Sequence, residues 1–371
     1  MDAYRGYSAP WWDVRFWSNK IWAALVGGLV VIIVIVVPVA VVESRKHSKS
    51  AYPTYSKINY TLSDTYSDEN FFDKFDYFSG YDPANGFVHY VPQGTAESLN
   101  LTSASTSAAV VRVDTSVGNT SSPDAPTGRF SVRLTSKTQY DSGLFIFDIK
   151  HTPYGCGTWP ALWLSDPNNW PDNGEIDIME AVNQGTSGNQ VTLHTTDDCT
   201  MKSVERIMSG TVDQADCHNT TNENAGCGVT GKNSTYGPSF NDAGGGIMAV
   251  EWRDAGIRVW QFDSDAVPSD ISNDAPDPST WGTALADFPD TKCSISSHFR
   301  NASIIANIDL CGALGEAKYA SSGCPNNCVG SHTCVGGYTP TNCTDYVANY
   351  PNAFKDAYWE FGTFKVFQAS S

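Results

Sequence analysis

The chain has 371 residues and a formal net charge of −17, with 40 Asp and Glu against 23 Lys and Arg. That acidic balance argues against a nucleic-acid partner, because phosphate backbones are bound by clustered Lys and Arg. Eleven Trp and an aromatic content of 12% instead supply flat apolar faces suited to sugar rings, although the same side chains also fill cores.

Residues 1–20 carry Arg5, Arg15 and Lys20 among the aromatics Tyr7, Trp11, Trp12, Phe16 and Trp17. Residues 21–42 contain no charge and are dominated by Val and Ile. At about 1.5 Å per residue this run can cross a hydrocarbon core of about 30 Å. It exceeds the roughly 7–15 apolar residues of a signal peptide, and no small-x-small cleavage site stands out. The expectation is an uncleaved transmembrane signal anchor, entered through an aromatic belt that includes Trp22; secretion after cleavage is the alternative.

Basic residues flank both sides of the run, with Arg45, Lys46 and Lys49 beyond it, so charge does not orient it. Cysteines and sequons do. All ten Cys lie at position 156 or later, and the sequons at Asn59, Asn100, Asn119, Asn219, Asn233, Asn301 and Asn342 all follow the run. Both features suit an oxidising space outside the cytosol. The expected layout is a cytosolic tail over 1–20, a span over 21–42, a stalk over 43–56 and an exported domain over 57–371. That is a single-pass type II protein of the cell membrane, expected as a monomer.

From about residue 57 the pattern is β throughout. Val110–Asp114, Arg129–Leu134 and Gly143–Ile149 are strand-like runs bounded by Gly, Ser, Asp or Pro. No long helical period interrupts them, and no internal repeat is apparent. Short strands and long loops over this length predict one all-β sandwich or jelly roll rather than two domains.

The segment Asn173-Gly174-Glu175-Ile176-Asp177-Ile178-Met179-Glu180 packs three carboxylates into six residues. Acids are poor strand formers and rarely sit buried without partners, whereas cleaving a glycosidic bond requires two carboxyl groups flanking it. Side chains alternate along a strand, so Glu175 and Asp177 share a face while Glu180 points away. Ile176 and Ile178 ask for burial on the opposite side. One extra residue absorbed by a β-bulge around Ile178-Met179 returns Glu180 to the acidic face. A helix over 173–180 is the competing reading, disfavoured by the alternation of the isoleucines and by the entering Gly174.

His194 follows on a neighbouring strand expected over Val191–Thr195. Loops over 197–245 and 264–290 are long and rich in Gly, Asn, Asp and Thr. Between them, Ile247–Trp252 and Ile257–Phe262 read as a hairpin. Segment 311–343 gathers Cys311, Cys324, Cys328, Cys334 and Cys343; disulfides of undetermined pairing are expected there rather than a zinc site. Tyr358–Phe367 alternates again and closes a sheet.

Several of these stretches together resemble glycoside hydrolase family 16, specifically the fungal laminarinase-like endo-1,3(4)-β-glucanases. They are Phe71–Phe75 with Asp82-Pro83, Gly86–Val91, Gly155–Trp163, Asn173–Asn183, Leu193–Thr195 and Ala357–Glu360, and the resemblance covers about 58–370. It implies a β-jelly roll of two packed antiparallel sheets (concanavalin-like) with a sugar-binding cleft. It also implies a retaining mechanism with Glu175 as nucleophile, Glu180 as acid/base and Asp177 as helper, supported by His194. Retention needs the two carboxyl groups about 5–5.5 Å apart, within reach of same-face neighbours on a bulged strand. Trp163 and Trp170 match family positions that stack on glucose, and Trp281 is a further platform candidate from a loop. No cofactor is required; relatives often carry a structural calcium, but no liganding cluster stands out here. Where the family continues Cys-Gly-Asp-Trp-Ala-Gly, this chain has Cys311-Gly312-Ala313-Leu314-Gly315, which weakens any subsite assignment there.

The activity expected is endo-hydrolysis of 1,3- or mixed 1,3/1,4-linked β-glucan. The alternatives are a membrane-anchored wall-remodelling transglycosylase, and a non-catalytic glucan-binding receptor. The intact Glu175 and Glu180 count against the receptor.

Overall fold

The structure, a computed structural model, describes residues 17–22, 24–25, 52–116, 128–326 and 340–370. The chain divides into two units, Met1–Ala51 and Tyr52–Ser371. In the first, residues 19–22 are helical and exposed. Among the described residues no helix is long and apolar enough to cross a membrane. Most of the expected span over 21–42, like most of the tail and stalk, lies outside those residues. The stalk range overlaps the second unit at 52–56, because the hydroxyls of Tyr52 and Tyr55 donate to the buried Asp287 carboxylate at 2.9 and 3.2 Å.

The second unit is an antiparallel sandwich of two eight-stranded sheets. The first sheet runs Ala286–Pro289, Gly256–Asp263, Gly246–Arg253, Gly143–His151, Tyr358–Ala369, Ala109–Arg112 and Thr102–Ala104, with Tyr60–Tyr66 also paired to Tyr358–Ala369. The second runs Thr211–Val212, Cys227–Thr230, Gln190–His194, Glu175–Glu180, Thr158–Ser165, Ala302–Leu310, Arg133–Tyr140 and Phe75–Tyr77. A small third sheet joins Gly80–Tyr81, Val88–Tyr90 and Arg129–Ser131. The expected hairpin closes through Asp254-Ala255, with Arg253 facing Gly256.

Alternation decides which side chains fill the space between the sheets. Phe145, Phe147, Met248, Val250 and Val259 of the first sheet join Leu162, Leu164, Ile176, Leu193, Ile304 and Ile308 of the second in one core. The other parity of the first sheet forms a separate outer cluster of Leu144, Ile146, Ala249, Trp260 and Phe367, which Trp281 caps. The other parity of the second sheet carries the acids.

Disulfides join Cys156 to Cys324, Cys199 to Cys293, Cys217 to Cys227 and Cys311 to Cys343. Of the cysteines in segment 311–343, Cys311 and Cys343 pair within it and Cys324 pairs outside it, so disulfides form there as expected. Cys328 and Cys334 lie outside the described residues.

Candidate active site

The acid strand is bulged where the spacing requires it. On one side Ser165, Trp163 and Ala161 face Glu175, Asp177 and Glu180; on the other, His194, Thr192 and Gln190 do. Both neighbours advance by twos, while the acid strand advances by two and then by three. Ile178 is the extra residue, since Leu162 pairs with Met179 and Trp163 with Asp177. Ile176, Ile178 and Met179 all turn into the core, leaving the three acids on the outer face.

Entry to the strand depends on Gly174. Its φ is +72°, and a Cβ there would come within 2.4 Å of the His298 carbonyl oxygen. Only glycine combines that conformation with that approach. Asn189, wholly buried, secures the bulge. Its Oδ1 accepts the Glu180 backbone N–H at 3.0 Å, and its Nδ2 donates to the Ile178 carbonyl at 2.8 Å. These are the groups a bulge removes from the ladder.

Each acid has its own surroundings. Trp159 Nε1 donates to Glu180 Oε1 at 2.7 Å, and the Trp159 ring packs so closely on Gly312 that a Cβ there would lie 2.7 Å from it. Asp177 Oδ2 lies 3.4 Å from His194 Nε2, and the other imidazole nitrogen, Nδ1, is 3.1 Å from Asn224 Oδ1. The Trp170 indole and the Arg133 charge both act on Glu175 to favour its ionised form. Arg133 itself lies over Trp163, 5.0 Å from the ring centroid, while Trp163 Nε1 donates to Asn307 Oδ1 at 2.8 Å.

Burial pushes all three carboxyls above their ordinary values. For Glu175 the neighbouring Asp177 charge adds to the rise. For Asp177 the His194 hydrogen bond opposes it, and for Glu180 the Trp159 hydrogen bond does. Burial disfavours a charged His194, but the Asp177 hydrogen bond and the charges of Asp177, Glu175 and Glu180 outweigh it. The imidazole is raised to about 9, which favours its charged form at neutral pH. The site therefore holds a cation beside three acids that resist ionising together, so their protons are partitioned by local hydrogen bonding.

Glu175, Asp177, Glu180, His194, Trp163 and Trp170 converge on this face. Trp281 does not. It is 8% exposed, packs edge-on against Trp260 and Phe262, and donates from Nε1 to Asp270. The outer surface it covers belongs to the first sheet, across the sandwich from the acids, so it is a packing residue and no sugar platform. Trp159, which was not among the expected site residues, contacts an acid as well. A signal for it existed: it sits four residues from Trp163 on one strand, and even spacing means a shared face. Asn307 could have been found the same way within Ala302–Leu310, whereas Asn189 and Asn224 lie on connections whose position no periodicity reports.

Among the described residues two groups could approach one metal ion, Glu175 with Asp177 and His194, and Cys311 with Glu316 and Cys343. The first is the acid site itself, and the cysteines of the second form a disulfide. Neither is the all-oxygen set that Ca²⁺ takes.

A β-sandwich bearing three carboxylates on one face of a bulged strand, beside half-buried and exposed indoles, defines a glycoside hydrolase catalytic domain. The chain belongs to glycoside hydrolase family 16: a family profile described as the XgeA-like, catalytic GH16 domain matches residues 75–367. It is 41% identical over 329 residues to a probable glycosidase of Schizosaccharomyces pombe, covering 87% of this chain and 73% of that protein. It is 38% identical over 317 residues to a probable endo-1,3(4)-β-glucanase of Aspergillus flavus, covering 84% of this chain but 45% of the relative. The chain thus spans about half the length of several curated relatives it matches. Among solved structures, Laminarinase 16A from Phanerochaete chrysosporium, with 6-O-glucosyl-laminaritriose in donor and acceptor sites, is 39% identical with a TM-score of 0.76, covering 84% of this chain and all of that one. An elongating family 16 β-1,3-glucosyltransferase is 38% identical with a TM-score of 0.74, covering 83% and 100%.

Proposed function

We propose that this chain is a retaining endo-β-glucanase that hydrolyses 1,3-linked, or mixed 1,3/1,4-linked, β-glucan by double displacement. The observation that carries the reading is the bulge, which turns Glu175 and Glu180 to one face with Asp177 between them. Glu175 attacks the anomeric carbon while Glu180 gives its proton to the departing glycosidic oxygen. The ionised Glu180 then takes a proton from water, which releases the sugar from Glu175. Asp177 lies next to Glu175 and is bonded to His194, whose positive charge favours the ionised nucleophile. Trp163 and Trp170 serve as stacking faces for glucose rings.

Transglycosylation is the second reading, favoured by the comparable likeness to an elongating glucosyltransferase. It differs only in the acceptor, a sugar hydroxyl in place of water. Incubation with laminarin and with barley mixed-linkage glucan separates the two. New reducing ends and shorter chains are expected. Longer chains without new reducing ends would replace hydrolysis by transfer, and binding without any product would leave a receptor.

Residues 21–42 act as the membrane anchor in this reading, holding the catalytic unit outside the cytosol at the cell surface. Of the described sequons, Asn59, Asn100, Asn233, Asn301 and Asn342 are exposed, which suits N-glycosylation, and Asn219 is half-buried. Resistance to alkaline carbonate extraction and a mobility shift on endoglycosidase treatment are the expected results. Extraction of the full chain by carbonate would remove the anchor.

A further inference from the structure

The loop after His194 contains three consecutive residues in the left-handed region, Asn222, Glu223 and Asn224, with φ of 49°, 58° and 63°. Asn tolerates that region and Glu does so poorly. Such a run persists where its surroundings hold it, and it gathers at functional sites. The Cys217–Cys227 disulfide closes this loop over ten residues, and the Ala225 N–H donates to the Asn222 carbonyl. At Gly226 a Cβ would come within 2.7 Å of His194 Cε1, so the loop backbone lies directly against the imidazole.

The strained turn delivers one polar atom to the site, Asn224 Oδ1, 3.1 Å from His194 Nδ1. The opposite nitrogen, Nε2, faces Asp177 Oδ2 at 3.4 Å. With Asp177 ionised, both neighbours are acceptors. Only an imidazolium, with two N–H groups, satisfies them together; a neutral ring would set its lone pair against one of them. The ionisable groups acting on the ring are Asp177, Glu175 and Glu180, all on the adjacent acid strand. The loop side presents Gly226 and the Asn224 amide.

We infer that Asn224 is a positioning residue that fixes His194 as a doubly donating cation beside Asp177, and through it conditions the acid pair for glycosidic cleavage. This rests on the glycosidase reading above. His194 favours ionised Glu175, Asp177 and Glu180. Losing its charge therefore makes the nucleophile harder to ionise.

Two substitutions in the full-length chain separate backbone strain from the acceptor. Asn224→Gly relieves the positive φ, so the fold is kept, but it removes the amide oxygen. Asn224→Asp retains an acceptor. The ring is read by ¹⁵N NMR of histidine-labelled protein, and activity by kcat and KM on laminarin across pH. In the unsubstituted protein both ring nitrogens are expected to be protonated at pH 7. In Asn224→Gly the His194 titration falls by roughly one pH unit or more, and kcat drops on the alkaline side, between the new and the original His194 titration, with KM changed less than about twofold. Asn224→Asp restores both. A neutral ring at pH 7 in the unsubstituted protein would overturn the inference, as would unchanged ring signals and pH profile in Asn224→Gly. A protein that cleaves no β-glucan would cost the functional reading alone, because the ring titration is measured without substrate.

Discussion

Replacing Asn189 by Leu keeps the side-chain volume and removes the amide that spans the bulge. The Glu180 N–H and the Ile178 carbonyl, bonded to Asn189 at 3.0 and 2.8 Å, are then left unpaired in a buried site. At about 1–3 kcal/mol for each unsatisfied buried group, the native arrangement loses about 2–6 kcal/mol. The strand can recover its ladder by giving up the bulge, but a one-residue slip turns Glu180 toward the core and leaves Glu175 where it was. Strained or slipped, the variant loses the acid/base and keeps the nucleophile. The expectation is a fall of about 10²-fold or more in kcat on laminarin. Aryl β-glucosides with a good leaving group should retain far more activity, since they need no proton, and azide should speed release of the glycosyl-enzyme. Urea unfolding measures the stability loss on the same protein. Normal turnover on laminarin with stability unchanged to about 0.5 kcal/mol would refute this account of the bulge.

Glu175→Gln is expected to abolish turnover and raise thermal stability at neutral pH. Burial and the Asp177 charge lift the Glu175 carboxyl from 4.5 to about 8. Between those values the folded chain binds more protons than the unfolded one, so stability falls as pH rises, and Gln removes that loss. The gain should be larger at pH 8 than at pH 4, as followed by thermal unfolding; an equal shift at both would contradict the burial argument. Trp159→Phe removes the N–H that favours ionised Glu180, so the alkaline limb of the kcat/KM profile should move to higher pH. A limb that stays or moves down would mean the bond does not act on the acid/base. Trp170→Ala should raise KM with little loss of stability. Trp281→Ala should leave KM unchanged and destabilise by about 3–5 kcal/mol, with Michaelis kinetics and denaturant melts separating the two.

The acid strand was readable in advance because its demands conflict. Ile176 and Ile178 require one face, the three acids the other, and a strict period of two cannot satisfy both between Asp177 and Glu180. A single inserted residue can, and Ile178 is that residue. The same parity rule, applied to Thr158–Ser165, would have brought Trp159 to the site with Trp163. What no local pattern could show is how the bulge's freed backbone groups are satisfied. Asn189 does this from a connection, and nothing about an isolated Asn before a strand distinguishes it from a turn former.

Trp281 shows the opposite limit. An indole suits the apolar face of a sugar and the interior of a sandwich for the same reason, a large flat apolar area with one N–H that needs a partner. Trp170 and Trp281 both lie on polar loops, but Trp170 is exposed whereas Trp281 is buried and donates to Asp270. They differ in the sheet each loop crosses: Trp170 comes from the connection entering the acid strand, whereas Trp281 follows Gly256–Asp263 of the first sheet. Loop composition carries no information on that choice; strand order does. An exposed aromatic in this fold can therefore be assigned to sugar or to core only after its flanking strands have been placed in one sheet or the other.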